Sequence, residues 1–237
     1  MSEKQIRWAI GILGALGVAT VVLLHWMVFF WVPTESTMGI VQRIFYVHVP
    51  AWWVAFLGFG LVALCSAVYL WLGDERLDRA ALAGAEAGMI FTTIGLLTGP
   101  LWGRVAWGTW WEWEPRLTSA LILWFIYLGY FLVRRSTANP EQGKRFAAVV
   151  GVIGVLDIPL IHVSVTWLRS LHPQAVILSA DNPMNLDPAM TATIGVGLLA
   201  FSLIFASLFL ARYAVAGYEH ELDLRDAALP GTQAVEV

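Results

Sequence analysis

Six long apolar stretches, separated by short polar ones, set the pattern of this chain. They cover residues 8–31, 44–72, 80–101, 117–133, 146–168 and 191–214. Each comes close to the ~20 residues that an α-helix needs to cross the hydrocarbon core of a bilayer. Between them lie polar connections such as GDERLDR (73–79) and RRSTANPEQGKR (134–145). The pattern predicts an all-α integral membrane protein of six transmembrane helices. The first stretch follows Lys4 and Arg7 but has neither the short apolar region nor the small-residue cleavage site of a secretory signal, so it reads as a retained helix.

Composition supports this reading. The 237 residues are 59% hydrophobic and 13% charged, against about 25% charged in ordinary soluble domains. Mean hydropathy is +0.71. So few charges do not cover a water-soluble surface. The net charge of −3 does not point to nucleic acid. Cys65 is the only cysteine, which excludes an internal disulfide, a CxxC redox pair and a CxxCH haem-attachment motif. It reads as one small buried residue.

Basic residues resist translocation, so their distribution orients the spans. Lys4, Arg7, Arg76, Arg79, Arg134, Arg135, Lys144, Arg145, Arg212 and Arg225 fall on one side, and Arg43, Arg104, Arg116 and Arg169 on the other. Both termini are therefore expected in the cytoplasm, with segments 32–43, 102–116 and 169–190 outside. The expected organisation is a membrane domain over 1–217, with an external tryptophan-rich segment at 102–119 and an external loop at 169–190, then a cytoplasmic tail over 218–237 that frays. HP, NP and DP dipeptides mark turns in the 169–190 loop. A loop of that length is usually functional or disordered.

The external segment WGTWWEWEPRLTS (107–119) holds four tryptophans in seven residues. In a helix, Trp107, Trp110, Trp111 and Glu114 would share one face. Gly108 and Pro115 both weaken such a helix, and Pro115 suits the first position of the next span. A short interfacial helix or turn is expected. An aromatic belt at the membrane surface is the plain alternative to a ligand platform.

Two histidines lie on the same side as this cluster. His48, in RIFYVHVPAWW, sits about one turn inside the second span, and His172, in SLHPQ, just beyond the fifth. Paired imidazoles from different helices are what a six-coordinate haem iron uses as axial ligands. Indole faces suit a flat porphyrin, and Arg43, Arg116, Arg104 or Arg169 suit its propionates. A lone histidine is more often structural, as His25, His162 and His220 are read here. Glu86 and Asp157 are carboxylates within spans, where functional roles are common, but hydrogen bonding to a neighbouring helix is the plainer account. Pro159 is expected to kink the fifth span.

With TGPLWG (98–103), LILWFIYLGY (121–130), and the stretch from DIPLIHVSVTWLRSLHP to LDPAM, these motifs resemble the heme exporter protein C family of bacterial cytochrome c maturation. The tryptophan-rich segment is similar to that family's WWD signature, with Glu114 where Asp is usual. The resemblance covers residues 43–190 and implies a haem-binding and haem-delivering protein, not a free-standing enzyme. It implies non-covalent, transient haem b held by His48 and His172. Trp102, Trp107, Trp110, Trp111, Trp113, Glu114, Arg43 and Arg116 would contact the group. Implied partners are an ABC transporter's ATPase and membrane subunits, a small single-span membrane protein, a periplasmic haem chaperone and membrane lipid, all at the bacterial inner membrane. No GxxxxGK[ST] motif occurs, so energy must come from a partner. The alternative from the residues themselves is a membrane oxidoreductase with b-type haem, using His25 and His162.

Overall fold

The computed structural model describes residues 2–168, 172 and 187–228. Helix α1 (Glu3–Trp26) runs into a π turn at Met27–Trp31, and a 3-10 turn at Ile40–Ile44 leads into α2 (Phe45–Leu72). Then follow α3 (Glu75–Ala106), α4 (Pro115–Arg135), α5 (Pro140–Gly154), α6 (Asp157–Trp167) and α7 (Pro188–Ala228). Among the described residues, six segments are long and apolar enough to cross a membrane: Glu3–Trp31, Ile40–Leu72, Glu75–Ala106, Pro115–Arg135, Pro140–Val165 and Pro188–Asp226. The chain is an all-helical, multi-pass membrane protein, as its hydropathy pattern predicts.

Two elements differ from the expected spans. The fifth span is two helices, broken at Val155 and Leu156. Pro159 has no N–H to give the Val155 carbonyl, which instead accepts from the Ile158 N–H at 3.1 Å. The last helix also continues well past residue 214, to Ala228. Its extension, YEHELDLRDAA, has no proline or glycine, and the Arg212 guanidinium reaches Glu219 at 3.0 Å. Residues 218–228 of the expected frayed tail are therefore helical, and 229–237 lie outside the described residues.

Helices α2 and α3 form the central pair. They join through a tight turn in which Gly73 adopts φ +68°, and the Asp74 carboxylate accepts from the Arg76 N–H at 2.9 Å to cap α3. Glycines let the two backbones touch. A Cβ on Gly58 would lie 3.1 Å from the Gly84 carbonyl oxygen and 3.2 Å from Gly88 Cα. Small residues four apart are how helices approach closely in lipid, where packing replaces the hydrophobic drive. Phe59 stacks on Tyr127 of α4 with ring centroids 3.6 Å apart. Around them Val62, Leu123, Tyr130, Ala147 and Ile161 complete the main core. A smaller core of Leu24, Val28, Tyr46, Met190 and Ile194 ties α1, α2 and α7 together at one end.

Ion pairs gather away from that end. Arg134 of α4 clasps Asp78 of α3 with both guanidinium nitrogens, one at 2.6 Å. Lys144 bridges Glu75 at 2.6 Å and Glu141 at 2.7 Å. Glu86, expected to bond to a neighbouring helix, accepts from Arg212 at 2.7 Å. Asp157 sits at the α5–α6 break, with Oδ2 buried and unpartnered among the described residues. Asp78 is almost fully buried, so removing it strands a guanidinium between helices. Asp78→Ala is expected to cost about 3–5 kcal/mol, measured as a lowered unfolding midpoint in detergent, with Glu3→Ala at the exposed Glu3–Arg7 pair as a near-silent control.

Candidate functional site

The site is built from the last turns of α3, the first turns of α2 and α4, and His172. Its position follows from small residues on α3. A Cβ on Gly95 would lie 2.6 Å from the Trp52 indole, and one on Gly99 would lie 3.4 Å from His48 Cε1. His48 and Trp52, four apart on α2, nest over these two glycines, four apart on α3. The His48 ring is buried, and its Nδ1 lies 2.9 Å from the Thr98 hydroxyl. Trp102 and Trp52 stand edge-on around it, at centroid distances of 5.7 and 6.4 Å. His172 meets it from another part of the chain, with ring centroids 6.5 Å apart and planes 30° from parallel. Trp107 lies 5.9 Å from the His172 ring.

The tryptophan segment is a turn followed by irregular chain, not a helix, so the expected common face of Trp107, Trp110, Trp111 and Glu114 does not form. Gly108 adopts φ +81°, which breaks the helix, and Pro115 holds Glu114 extended at φ −79°, ψ 158°. The Arg104 guanidinium donates to the Gly108 carbonyl, and the Thr109 hydroxyl donates to the Trp111 carbonyl at 3.0 Å. The tryptophans then divide. Trp107 folds back over Gly103 and Trp111 turns inward, whereas Trp110 and Trp113 are 57% and 76% exposed.

Two clefts share Gly99, Pro100, Trp111 and Leu117 as walls. One is bounded by Trp107, Trp110 and Glu114, and the other by His48, Trp52, Arg116 and His172. Buried donors and acceptors beside them have no partner among the described residues: Trp102 Nε1, Trp111 Nε1, Thr118 Oγ1 and Glu114 Oε2. Unmet polar groups in such numbers mark a place where a ligand or water completes the bonding. The other Glu114 oxygen caps α4, accepting from the Leu117 N–H at 3.2 Å, and Pro115 is the first residue of that helix as its chemistry predicts.

The candidate arginines separate. Arg116 lines the histidine cleft. Arg43 instead lies 5.9 Å over the Phe29 ring and is not among the cleft residues, while Arg104 holds the loop. Arg169, with the rest of the 169–190 loop except His172 and residues 187–190, lies outside the described residues. His25 and His162 bond to their own helices, each Nδ1–H donating to the carbonyl four residues back, at 2.8 and 2.9 Å. A carbonyl only accepts, so these are satisfied single histidines. Trp52 and Thr98 also belong to this site, though no motif marks them out. The i, i+4 spacing of His48 and Trp52 was visible and sufficient to find the first, whereas Thr98 needed the helix pairing.

Because a Cβ on Gly108 would meet nothing, its requirement is backbone conformation alone. Gly108→Val is expected to destabilise the turn by about 1–2 kcal/mol, read as a red shift and broadening of tryptophan emission with the global unfolding midpoint little changed.

The family profile of heme exporter protein C matches residues 1–227. The chain is 37% identical to heme exporter protein C of Bradyrhizobium diazoefficiens over 179 residues, which are 76% of this chain and 68% of that protein. It is 34% identical to heme exporter protein C of Escherichia coli K12 over 200 residues, 83% of this chain and 80% of that one. It is 35% identical over 180 residues to a putative cytochrome c biosynthesis ccmC-like mitochondrial protein of Marchantia polymorpha, covering 76% and 72%. A match over nearly the whole length, with relatives of this similarity, means that the chain belongs to the heme exporter protein C family.

Proposed function

We propose that this chain binds haem b at His48 and His172 and passes it outward for cytochrome c maturation. Family membership supports the coarse role, a transport component in haem export. The finer reading rests on one observation: two histidines from distant parts of the chain face one another, 6.5 Å between ring centroids, inside a wall of tryptophans. Metal–nitrogen bonds of about 2 Å would put two axial imidazoles roughly 6 Å apart between centroids, close to the separation of this pair. The indole N–H groups of Trp102 and Trp111 and the guanidinium of Arg116 are the donors beside that pair.

Haem, as cargo, brings an iron with two open axial positions and a flat anionic ring. The residues then have separable roles. His48 and His172 hold the iron, Trp107 and Trp111 supply aromatic surface, and Arg116 meets a propionate. Trp110 and Trp113, exposed beside the cleft, offer apolar contact to lipid or to the receiving chaperone. The distribution of basic residues supports both termini in the cytoplasm of a bacterial inner membrane and the site on the periplasmic side. The sequence carries no ATP-binding motif, which supports an ABC transporter's ATPase and membrane subunits, with a small single-span protein, as the source of work. A periplasmic haem chaperone is the recipient.

The test is haem content and optical spectrum of purified variants. His48→Ala and His172→Ala are each expected to lose the six-coordinate spectrum; if both keep haem with an unchanged spectrum, the ligand assignment fails. Arg116→Ala is expected to weaken haem retention by on the order of tenfold or more, the worth of a charge-assisted bond. Arg43→Ala, which removes a group outside the cleft, is expected to have the smaller effect.

A further inference from the structure

We propose that Thr98 is the positioning residue that fixes the tautomer of His48, holding its proton on Nδ1 and leaving Nε2 as the metal-binding nitrogen. The inference rests on the haem-ligand reading of His48 for its purpose, but not for its geometry. The Thr98 hydroxyl has three neighbours. Two are carbonyl oxygens of its own helix, Ile94 at 2.8 Å and Gly95 at 3.2 Å. The third is His48 Nδ1, at 2.9 Å.

A hydroxyl carries one proton and two lone pairs. Carbonyls only accept, and that of Ile94 is the nearest of the three neighbours, so the proton is assigned to it, the usual back-bonding of a threonine within a helix. The hydroxyl oxygen is then an acceptor towards His48, and the imidazole must supply the hydrogen. His48 is 7% exposed, so water competes weakly for that position. A neutral imidazole with its proton on Nδ1 has its lone pair on Nε2. Ring orientation is fixed from the other side by the edges of Trp52 and Trp102.

The chemistry of metal-bound histidine gives this contact its use. The second ring nitrogen of such a histidine commonly donates to a carboxylate, a carbonyl or water, which sets the tautomer and the donor strength. A hydroxyl already committed as a donor elsewhere is a weak acceptor compared with a carboxylate. It fixes direction without making the imidazole strongly anionic, which suits a ligand that must release its cargo.

The experiment compares two variants without the hydroxyl, Thr98→Val and Thr98→Ala, with Thr98→Ser, which keeps it. In haem-free full-length protein, nitrogen-15 shifts of labelled histidine report the His48 tautomer, and His48→Ala identifies the signal. Wild type and Thr98→Ser are expected to show the Nδ1–H form, and the other two to gain the Nε2–H form. With haem bound, both hydroxyl-free variants are expected to hold it about 10- to 100-fold more weakly. Their iron midpoint potential rises, because an imidazole without its acceptor donates less charge, while Thr98→Ser stays near wild type. An Nε2–H tautomer in the wild type, or variants that sort by side-chain size instead of by hydroxyl, would overturn the proposal. If His48→Ala leaves haem binding unchanged, the haem reading fails instead, and the tautomer measurement still decides the role of Thr98.

Discussion

The contact on which the rest depends is the close approach of α2 and α3. Where Gly58 meets Gly84 and Gly88, the backbones lie close enough that an added methyl group would strike main-chain atoms. Further along α3 the spacing continues with Gly95 and Gly99, and here the space is filled by Trp52 and His48. One run of small residues thus does two jobs: it brings the helices together in the core, and at the end of the bundle it makes room for a histidine. Close packing is a main drive for such pairing in lipid, beside hydrogen bonds such as that of His48 with Thr98, so the loss of a glycine here is felt in the site as well as in the core.

Much of the fold was legible because length and hydropathy are strong signals in a membrane chain. The break at Pro159 and the helix start at Pro115 were legible for a different reason, since proline has no N–H to offer and constrains the residue before it. Other features were not. Trp107, Trp110, Trp111 and Glu114 have helical spacing, but Gly108 takes a left-handed conformation and the common face is lost. Arg43 is only five residues from His48 in sequence, yet its guanidinium turns to Phe29. Sequence distance says little about direction where a 3-10 turn enters a helix. Thr98 is fifty residues from His48, and nothing short of the α2–α3 pairing connects them.

The division of the tryptophans also refines the meaning of the aromatic segment. The belt and the platform, opposed as alternatives in the sequence, ask for outward and inward indoles respectively, and this stretch of eight residues holds both orientations. Trp107 and Trp111 face the clefts, Trp110 stands exposed at the rim of one of them, and Trp113 faces outward. Glu114 then closes the segment by capping α4, so the carboxylate at the signature's end has a structural task besides any contact with a ligand.

The pairing of α1 with α7 has a consequence for how this molecule is made. These helices are far apart in the chain yet pack along one another: Gly17 accommodates Ile204, and the Ser207 hydroxyl donates to the Ile10 carbonyl at 3.0 Å. During synthesis the earlier helix enters the bilayer long before its companion exists. It must wait there as a solitary span, with its contact face turned to lipid, until the later one arrives. Contacts between segments so distant in sequence form late and slowly. Assembly of the bundle therefore closes like a clasp, with the α1–α7 seam sealed only after the helices between them have entered the bilayer.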